Sequence, residues 1–105
     1  MIPKVQLAPD YAVSQLIAGG WQLQNRGDDA IEDLLQLSRL GITAYETSDT
    51  YSNGQSLLGR FLFKARQSLP REKFLGIQIH TRYTAPTTGS APSKATIVAS
   101  VDRSL

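Results

Sequence analysis

Residues 41–51 of the chain read GITAYETSDTY and decide the fold. The apolar part of this stretch, residues 42–46, predicts a short strand, and residues 47–54 predict the loop that follows it. Gly41 stands where the C-terminal end of a helix needs a residue that tolerates the left-handed conformation. Residues 55–69 carry apolar side chains at helical spacing, which predicts a second helix. A strand enclosed by two helices is the repeating unit of an α/β protein.

The same alternation continues on both sides of this stretch. Residues 13–18 predict a first strand that ends at a Gly-Gly pair, and residues 74–81 predict a third strand. Between the first two strands, Asp29 followed three residues later by Glu32 indicates a capping-box start of a helix. The order strand, helix, strand, helix, strand therefore emerges from the hydrophobic pattern alone.

A third helix is predicted after a loop over residues 83–92. Ser93 is suited to cap it, and the sequence shows no glycine or proline between the cap and the last residue. Its apolar positions at helical spacing are Ile97, Val98, Val101 and Leu105. Three strand–helix repeats predict parallel βαβ units with right-handed crossovers and with helices covering the strands.

The composition is that of an ordinary globular chain, with 105 residues of which 41% are hydrophobic and 19% charged. One domain over residues 1–105 with about three β/α units fits this length, because each unit takes roughly thirty residues. A complete (β/α)8 barrel takes at least about 200 residues. With no cysteine and a single histidine, we expect neither a disulfide framework nor a metal site. The lack of a signal peptide or a long apolar run predicts a cytoplasmic protein.

The charge is divided unevenly along the chain. Residues 1–59 hold three basic and seven acidic residues, a net charge of −4, whereas residues 60–105 hold eight basic and two acidic residues, a net charge of +6. A basic half can bind phosphate or nucleic acid. No recognition-module signature accompanies the charge, so the pattern does not predict a nucleic-acid partner.

Candidate functional residues follow the three predicted strands, where βαβ proteins place their sites. Gly20 and Trp21 follow the first strand, Glu46 and Tyr51 the second, and Arg82 the third. Tyrosine is a weak acid with a pKa of about 10, and a neighbouring cation makes its proton easier to donate. The pattern predicts proton delivery from Tyr51, with Arg82 as the cation and Glu46 as the carboxylate that orients it.

Simpler interpretations of the same residues stay open. Glu46 and Arg82 can form a purely structural salt bridge, and Trp21 can cover the open core instead of a ligand. His80, on the third predicted strand, is expected to be a hydrogen-bonded interior histidine. Asp49 can serve only to cap its loop.

Several of these stretches resemble the NADP-dependent aldo-keto reductases. Residues 41–51 are similar to the family signature G-I-x-x-[FY]-D-T-A-D-x-Y, and residues 56–62, SLLGRFL, resemble its E-x-L-L-G-x-x-L. Residues 16–23, LIAGGWQL, resemble the first barrel strand, especially in the W-Q variant of some plant and fungal-type members. The stretch 79–82, IHTR, stands where the family has T-K, and 101–105, VDRSL, resembles the end of the third helix.

The resemblance implies a partial (β/α)8 TIM barrel made of about the first three β/α units. Family members reduce aldehydes or ketones to alcohols by hydride transfer from NADPH, with an Asp, Tyr, Lys and His tetrad. Tyr51 matches the tetrad tyrosine, Glu46 stands at the aspartate position and Arg82 at the lysine position. The family histidine lies on a fourth strand beyond Leu105, and most of the family's cofactor site belongs to the second half of the barrel.

The resemblance also implies limits on activity. Gly20 and Trp21 are the residues of this stretch expected to line the nicotinamide and the small carbonyl substrate. Glutamate adds a methylene, arginine is a planar fork, and positional errors of about 1 Å cost on the order of a hundredfold in rate. We therefore expect a truncated oxidoreductase domain with weak or no activity. The alternative is a non-catalytic partial barrel, an assembly module that self-associates through its open sheet edges.

Overall fold

The computed structural model describes residues 2–24, 26–51, 53–84 and 91–104. An N-terminal hairpin precedes three strands that alternate with helices, and Trp21–Leu23 form a single 3-10 turn. No helix within these residues is both long enough and apolar enough to cross a membrane. The strands are β1 Lys4–Ala8, β2 Tyr11–Ser14, β3 Ile17–Gly19, β4 Ala44–Glu46 and β5 Gln78–His80. The helices are α1 Asp29–Leu40, α2 Gly54–Ser68, α3 Arg71–Leu75 and α4 Lys94–Ser104.

Strands β3, β4 and β5 form a parallel sheet in that order. The register pairs Gly19 with Glu46 and Glu46 with His80, so the carboxyl ends of all three strands are level. The predicted α/β class and the parallel sheet are confirmed, and three strands with alternating helices are consistent with part of a barrel.

Helices α1 and α2 cover one face of this sheet and form the core with it. Tyr45 on β4 is fully buried there, with its ring 5.0 Å from the Phe61 ring and its hydroxyl hydrogen-bonded to Ser38. Burial raises the pKa of the Tyr45 phenol, although the Ser38 contact opposes this. The other apolar members of the core are Ala30, Ile31, Leu34, Leu35, Ile42, Leu57, Leu58, Ala65 and Leu69. Since side chains alternate along a strand, Glu46 and His80 lie on the opposite face, called the inner face below.

The predicted strand over residues 13–18 is wrong in its first part. Val13 and Ser14 pair with β1 in an antiparallel hairpin, and only Ile17 and Ala18 belong to the parallel sheet. The Ser14 hydroxyl accepts the backbone N–H groups of Thr43 and Ala44 at 3.0 and 3.2 Å. These hydrogen bonds hold the hairpin against the start of β4. The chain therefore turns after Ser14, although the apolar pattern of residues 13–18 continues past this point.

Two other local predictions also need correction. Phe74 and Leu75 belong to α3 and not to the third strand, because the chain turns helical directly after Pro70, whose carbonyl accepts the Phe74 N–H at 3.0 Å. The capping box at Asp29 does not form. Asp28 is the N-cap and makes no side-chain capping bond, while Asp29 pairs with Arg26 at 2.9 Å.

Three helix-end predictions are confirmed. Gly41 closes α1 with φ at +112°, a conformation that favours glycine. Helix α2 ends at Ser68, before Pro70. The backbone N–H of Thr96 donates to the Ser93 hydroxyl at 3.2 Å, which caps α4.

Helix α4 is held less firmly than the sequence pattern suggests. Its apolar residues Ile97, Val98 and Val101 are 38–49% exposed, and only Ser100 is buried among its described residues. The reason is that β5 is the last strand of the described sheet, so α4 has a neighbour on one side only. Leu105 and loop residues 85–90, which the sequence analysis also covers, lie outside the described residues.

Candidate active site

The site is built on the level carboxyl ends of β3, β4 and β5. Backbone bonds continue the sheet one step further, because Thr47 N–H donates to the His80 carbonyl at 2.8 Å and Asp49 N–H to the Arg82 carbonyl at 3.1 Å. The loops after β4 and β5 are therefore tied to each other. This edge brings the predicted residues of three separate sequence stretches into one neighbourhood.

Tyr51 and Arg82 are in direct contact. Nη2 of Arg82 donates to the Tyr51 hydroxyl oxygen at 2.9 Å, and the guanidinium carbon lies 5.8 Å from the centre of the tyrosine ring. Tyr51 is half-buried and Arg82 is exposed. The predicted neighbourhood of a phenol and a cation is thus present across 31 residues of sequence. Because the guanidinium is the donor, the phenolic O–H is not used in this bond and stays free to donate elsewhere.

Glu46 does not complete this pair. Its Oε2 accepts the backbone N–H of Gly20 at 3.4 Å, whereas its Oε1 is buried without a hydrogen-bond partner among the described residues. The predicted Glu46–Arg82 ion pair is therefore not formed between these described residues, while a supporting role of Glu46 in proton delivery stays a prediction. The reason is positional: Glu46 lies on the inner face within the sheet, while Arg82 lies two residues beyond the end of β5 and extends to Tyr51.

Gly20 and Trp21 behave differently from one another. A Cβ on Gly20 would lie 2.5 Å from the backbone carbonyl oxygen of Glu46, so this position requires glycine for a close approach of two chain segments. Trp21 is 65% exposed, and it does not cover the core. The exposed indole stands directly after β3, at the same edge as Tyr51.

Asp49 organises the loops more than the sequence analysis predicts. Its carboxylate accepts the Thr84 N–H at 3.2 and 3.3 Å, the Ser100 hydroxyl at 3.2 Å and the Ser48 hydroxyl at 3.2 Å. Burial alone would raise the pKa of this carboxyl, but the bonds from Thr84, Ser100 and Ser48 outweigh it and lower the pKa. Asp49 thus links the loop after β4 to the loop after β5 and to α4. An acidic residue in a Thr- and Ser-rich loop is a signal for such hydrogen bonds, but the sequence does not identify Thr84 and Ser100 as the partners because they are distant along the chain.

His80 is hydrogen-bonded, as expected. Its Nε2 lies 2.7 Å from the Tyr11 hydroxyl, and the two rings meet edge to face. Its Nδ1 is buried and has no partner in the described part of the chain. Within the described ranges no group of three His, Asp or Glu side chains is placed to hold a metal ion.

Two clefts lie close to this edge. One of about 600 Å³ lies between α2, β5 and α4, is mainly apolar and includes Leu58, Leu62 and Tyr83. A second, of about 400 Å³, contains Tyr51 together with the charged residues Asp49 and Arg103.

Comparison with known proteins agrees with this geometry. Residues 15–105 match the model of the aldo/keto reductase family. The fold is similar to the crystal structure of PA4992, a protein of Pseudomonas aeruginosa described as an aldo-keto reductase, with a TM-score of 0.68 and 24% sequence identity. That match covers 96% of this chain and 39% of the Pseudomonas chain, so the present chain spans well under half of that protein's length. No curated protein sequence matches significantly.

Proposed function

The chain belongs to the aldo/keto reductase family, and from this premise we propose that it carries the proton-donating part of a carbonyl-reducing site. The substrate class is a small aldehyde or ketone, which is reduced to an alcohol. Tyr51 is the proposed general acid and Arg82 its activating cation. By itself, the chain is proposed to have weak or no reductase activity.

The observation that carries this proposal is the 2.9 Å bond from Arg82 to the Tyr51 oxygen. Arginine keeps its charge at any physiological pH, so it stabilises negative charge on the phenol oxygen as the proton leaves. The phenolic hydrogen remains available for a carbonyl oxygen at the open edge of the sheet. The Arg82 guanidinium alone can therefore make the Tyr51 proton easier to donate, a role that the sequence pattern predicts for a cation–carboxylate pair.

NADPH is the hydride donor that the family implies, and it would supply the hydride to the carbonyl carbon of the substrate. The described residues at this edge do not by themselves form a dinucleotide site. The close approach that Gly20 permits is occupied by the Glu46 carbonyl and not by open space. Arg82, the cation at the strand ends, is bound to Tyr51, and Trp21 is exposed. We therefore propose for Gly20 and Trp21 only a place beside the nicotinamide and the substrate.

A chimera tests the role of Tyr51. Residues 1–105 replace the matching 39% of the Pseudomonas aeruginosa chain, and NADPH oxidation is followed with 4-nitrobenzaldehyde. Tyr51→Phe is expected to lower kcat by about 10²–10⁴-fold, the usual contribution of a general acid. Tyr83→Phe is the matched control, because Tyr83 lies in the neighbouring loop but lines the cleft between α2 and α4. A folded chimera in which Tyr51→Phe is as active as the parent would refute the proposal.

The isolated chain tests the second part of the proposal. Incubated with NADPH and 4-nitrobenzaldehyde, it is expected to oxidise no more NADPH than a blank. Sustained oxidation that disappears in Tyr51→Phe would overturn the inactivity of the isolated chain while supporting the role of Tyr51.

An assembly module is a second candidate, favoured by the exposure of the sheet. Within the described residues, strands β3 and β5 each pair on one side only, and both Leu16, just before β3, and Ile17, its first residue, are more than half exposed. Unpaired strand edges with apolar neighbours promote pairing with another chain. Size-exclusion chromatography with light scattering is expected to show a concentration-dependent dimer under this hypothesis. A monomer at all concentrations that unfolds cooperatively would exclude self-association.

A further inference from the structure

Two buried polar atoms lie on neighbouring strands of the inner face without hydrogen-bond partners. Glu46 on β4 and His80 on β5 are register partners, so their side chains leave the same face of strands that lie about 4.8 Å apart. Oε1 of Glu46 and Nδ1 of His80 are both buried, and neither has a partner within the described residues. An acceptor that lacks a donor and a ring nitrogen that lacks a partner are each unfavourable inside a protein.

The other polar atom of each side chain is already engaged. Oε2 of Glu46 accepts the Gly20 N–H, and it lies on the side of Gly19, where an added Cβ would be 3.7 Å from it. Nε2 of His80 meets the Tyr11 hydroxyl at 2.7 Å. Glu46 is thus held from the β3 side and His80 from the hairpin. Their two unsatisfied atoms belong to adjacent side chains between these anchors.

The Tyr11 contact fits either tautomer of the imidazole, because a phenol hydroxyl can donate to Nε2 or accept from it. A phenol hydroxyl has one hydrogen to donate, and a neutral imidazole has one donor nitrogen and one acceptor nitrogen. When Tyr11 donates to Nε2, the imidazole proton must be on Nδ1. A proton at Nδ1 then lacks an acceptor, and Oε1 of Glu46 lacks a donor, so a single hydrogen bond satisfies both.

We propose that Tyr11, His80 and Glu46 form a hydrogen-bonded chain on the inner face, in which Nδ1 of His80 donates to Oε1 of Glu46. The register pairing of Glu46 with His80 places the two side chains side by side, as this bond requires. His80 is then a positioning residue that holds Glu46 within the sheet. In this proposal Glu46 is the partner of His80, and the partner of Arg82 is Tyr51, whose bond to Arg82 is the one observed. This chain of hydrogen bonds does not depend on the proposed reductase function, and it is tested separately.

The tautomer of His80 tests this assignment directly. His80 is the one histidine in the sequence, so long-range ¹H–¹⁵N NMR of the 105-residue chain gives a single imidazole pattern. At about pH 8.5, where an ordinary histidine is neutral, the proton is expected on Nδ1 and its resonance is expected to exchange slowly with water. A proton on Nε2 would overturn the proposal.

Two variants remove one end of the chain each. Glu46→Leu is expected to speed exchange of the Nδ1 proton by about tenfold or more, because the bond to a charged acceptor is lost. Tyr11→Phe keeps the ring but removes the hydroxyl; because Glu46 still accepts the Nδ1 proton, that proton is expected to stay on Nδ1, and its movement to Nε2 would overturn the proposal. Because Tyr11 is at the margin of the fold, this variant tests the proposal even when Glu46→Leu does not fold. Glu72→Leu, on the distant helix α3, serves as the control and should leave the tautomer and exchange rate unchanged. A folded Glu46→Leu variant whose Nδ1 proton exchanges as slowly as that of the parent would also refute the chain.

Discussion

Replacing Gly20 with alanine would place a methyl group 2.5 Å from the carbonyl oxygen of Glu46. This is about 1 Å shorter than an optimal van der Waals separation of about 3.5 Å. The obstacle is backbone at the end of a central strand, so it cannot swing aside as a flexible side chain would. The backbone at Gly20, with φ −91° and ψ −7°, is open to any L residue, so the penalty is steric and not conformational.

The magnitude follows from two opposing effects. Overpacking of this kind costs about 1–3 kcal/mol, while replacing glycine where alanine is allowed stabilises by about 0.4–1 kcal/mol through the unfolded chain. We expect Gly20→Ala to lower the free energy of unfolding by about 1–2 kcal/mol. Gly59→Ala is the matched control, because nothing lies within 4 Å of its added Cβ in helix α2. It should raise the free energy of unfolding by about 0.5–1 kcal/mol.

Urea unfolding followed by far-UV circular dichroism measures both variants. With a slope of about 1–3 kcal/mol per molar urea for a small domain, the midpoints of Gly20→Ala and Gly59→Ala should differ by about 0.5–3 M. Equal midpoints, or a Gly20→Ala midpoint above that of the parent, would show that the loop after β3 does not approach β4 as closely as described.

Three further outcomes are expected. Phe61→Ala, at a fully buried position, should lower the free energy of unfolding by about 3–5 kcal/mol. Phe63→Ala, at a position 70% exposed, should change it by no more than about 0.5 kcal/mol. Similar urea midpoints for the two variants would contradict the assignment of Phe61 to the core. Because hydrogen bonds lower the folded-state pKa of Asp49, its contribution to stability is present above the unfolded pKa of about 4 and is lost as the pH falls through the folded value. Asp49→Asn should therefore flatten the decline of the urea midpoint below about pH 4, and an unchanged decline would argue against these bonds. The Trp21 indole should be quenched by acrylamide almost as readily as free tryptophan, since it is 65% exposed; strong protection would place it in the core instead.

The two departures from the family signature have different consequences. In the assignment that the resemblance implies, Arg82 stands at the lysine position, and its guanidinium reaches the Tyr51 oxygen. Glu46 stands at the aspartate position in the same assignment, and its carboxylate accepts the Gly20 N–H. Loss of the carboxylate–cation pair need not remove the cation's effect, because a guanidinium remains charged without a carboxylate beside it.

Much of this site was predictable from local sequence. The residue pattern predicts the strand at residues 44–46 and the polar loop after it. The contact between Tyr51 and Arg82 follows from the rule that parallel strands end at a common edge. The contacts of Asp49 with Thr84 and Ser100 were not predictable, because they depend on how two loops and α4 meet. The same holds for Tyr11, which reaches His80 across 69 residues of sequence.

The sequence by itself determined the periodic features of this protein: the helices α1 and α2 with their buried faces, the order of the three parallel strands, and the residues at the strand ends. These depend on spacing and on residue type, which are properties of neighbours along the chain. The tertiary structure alone decided which groups are partners. It divided the first apolar run between a hairpin and the sheet, placed Glu46 with Gly20 and not with Arg82, and brought Tyr11 to His80. The physical reason is that a hydrogen bond needs its atoms within about 3 Å and correctly oriented, and only the packing of distant segments sets those positions.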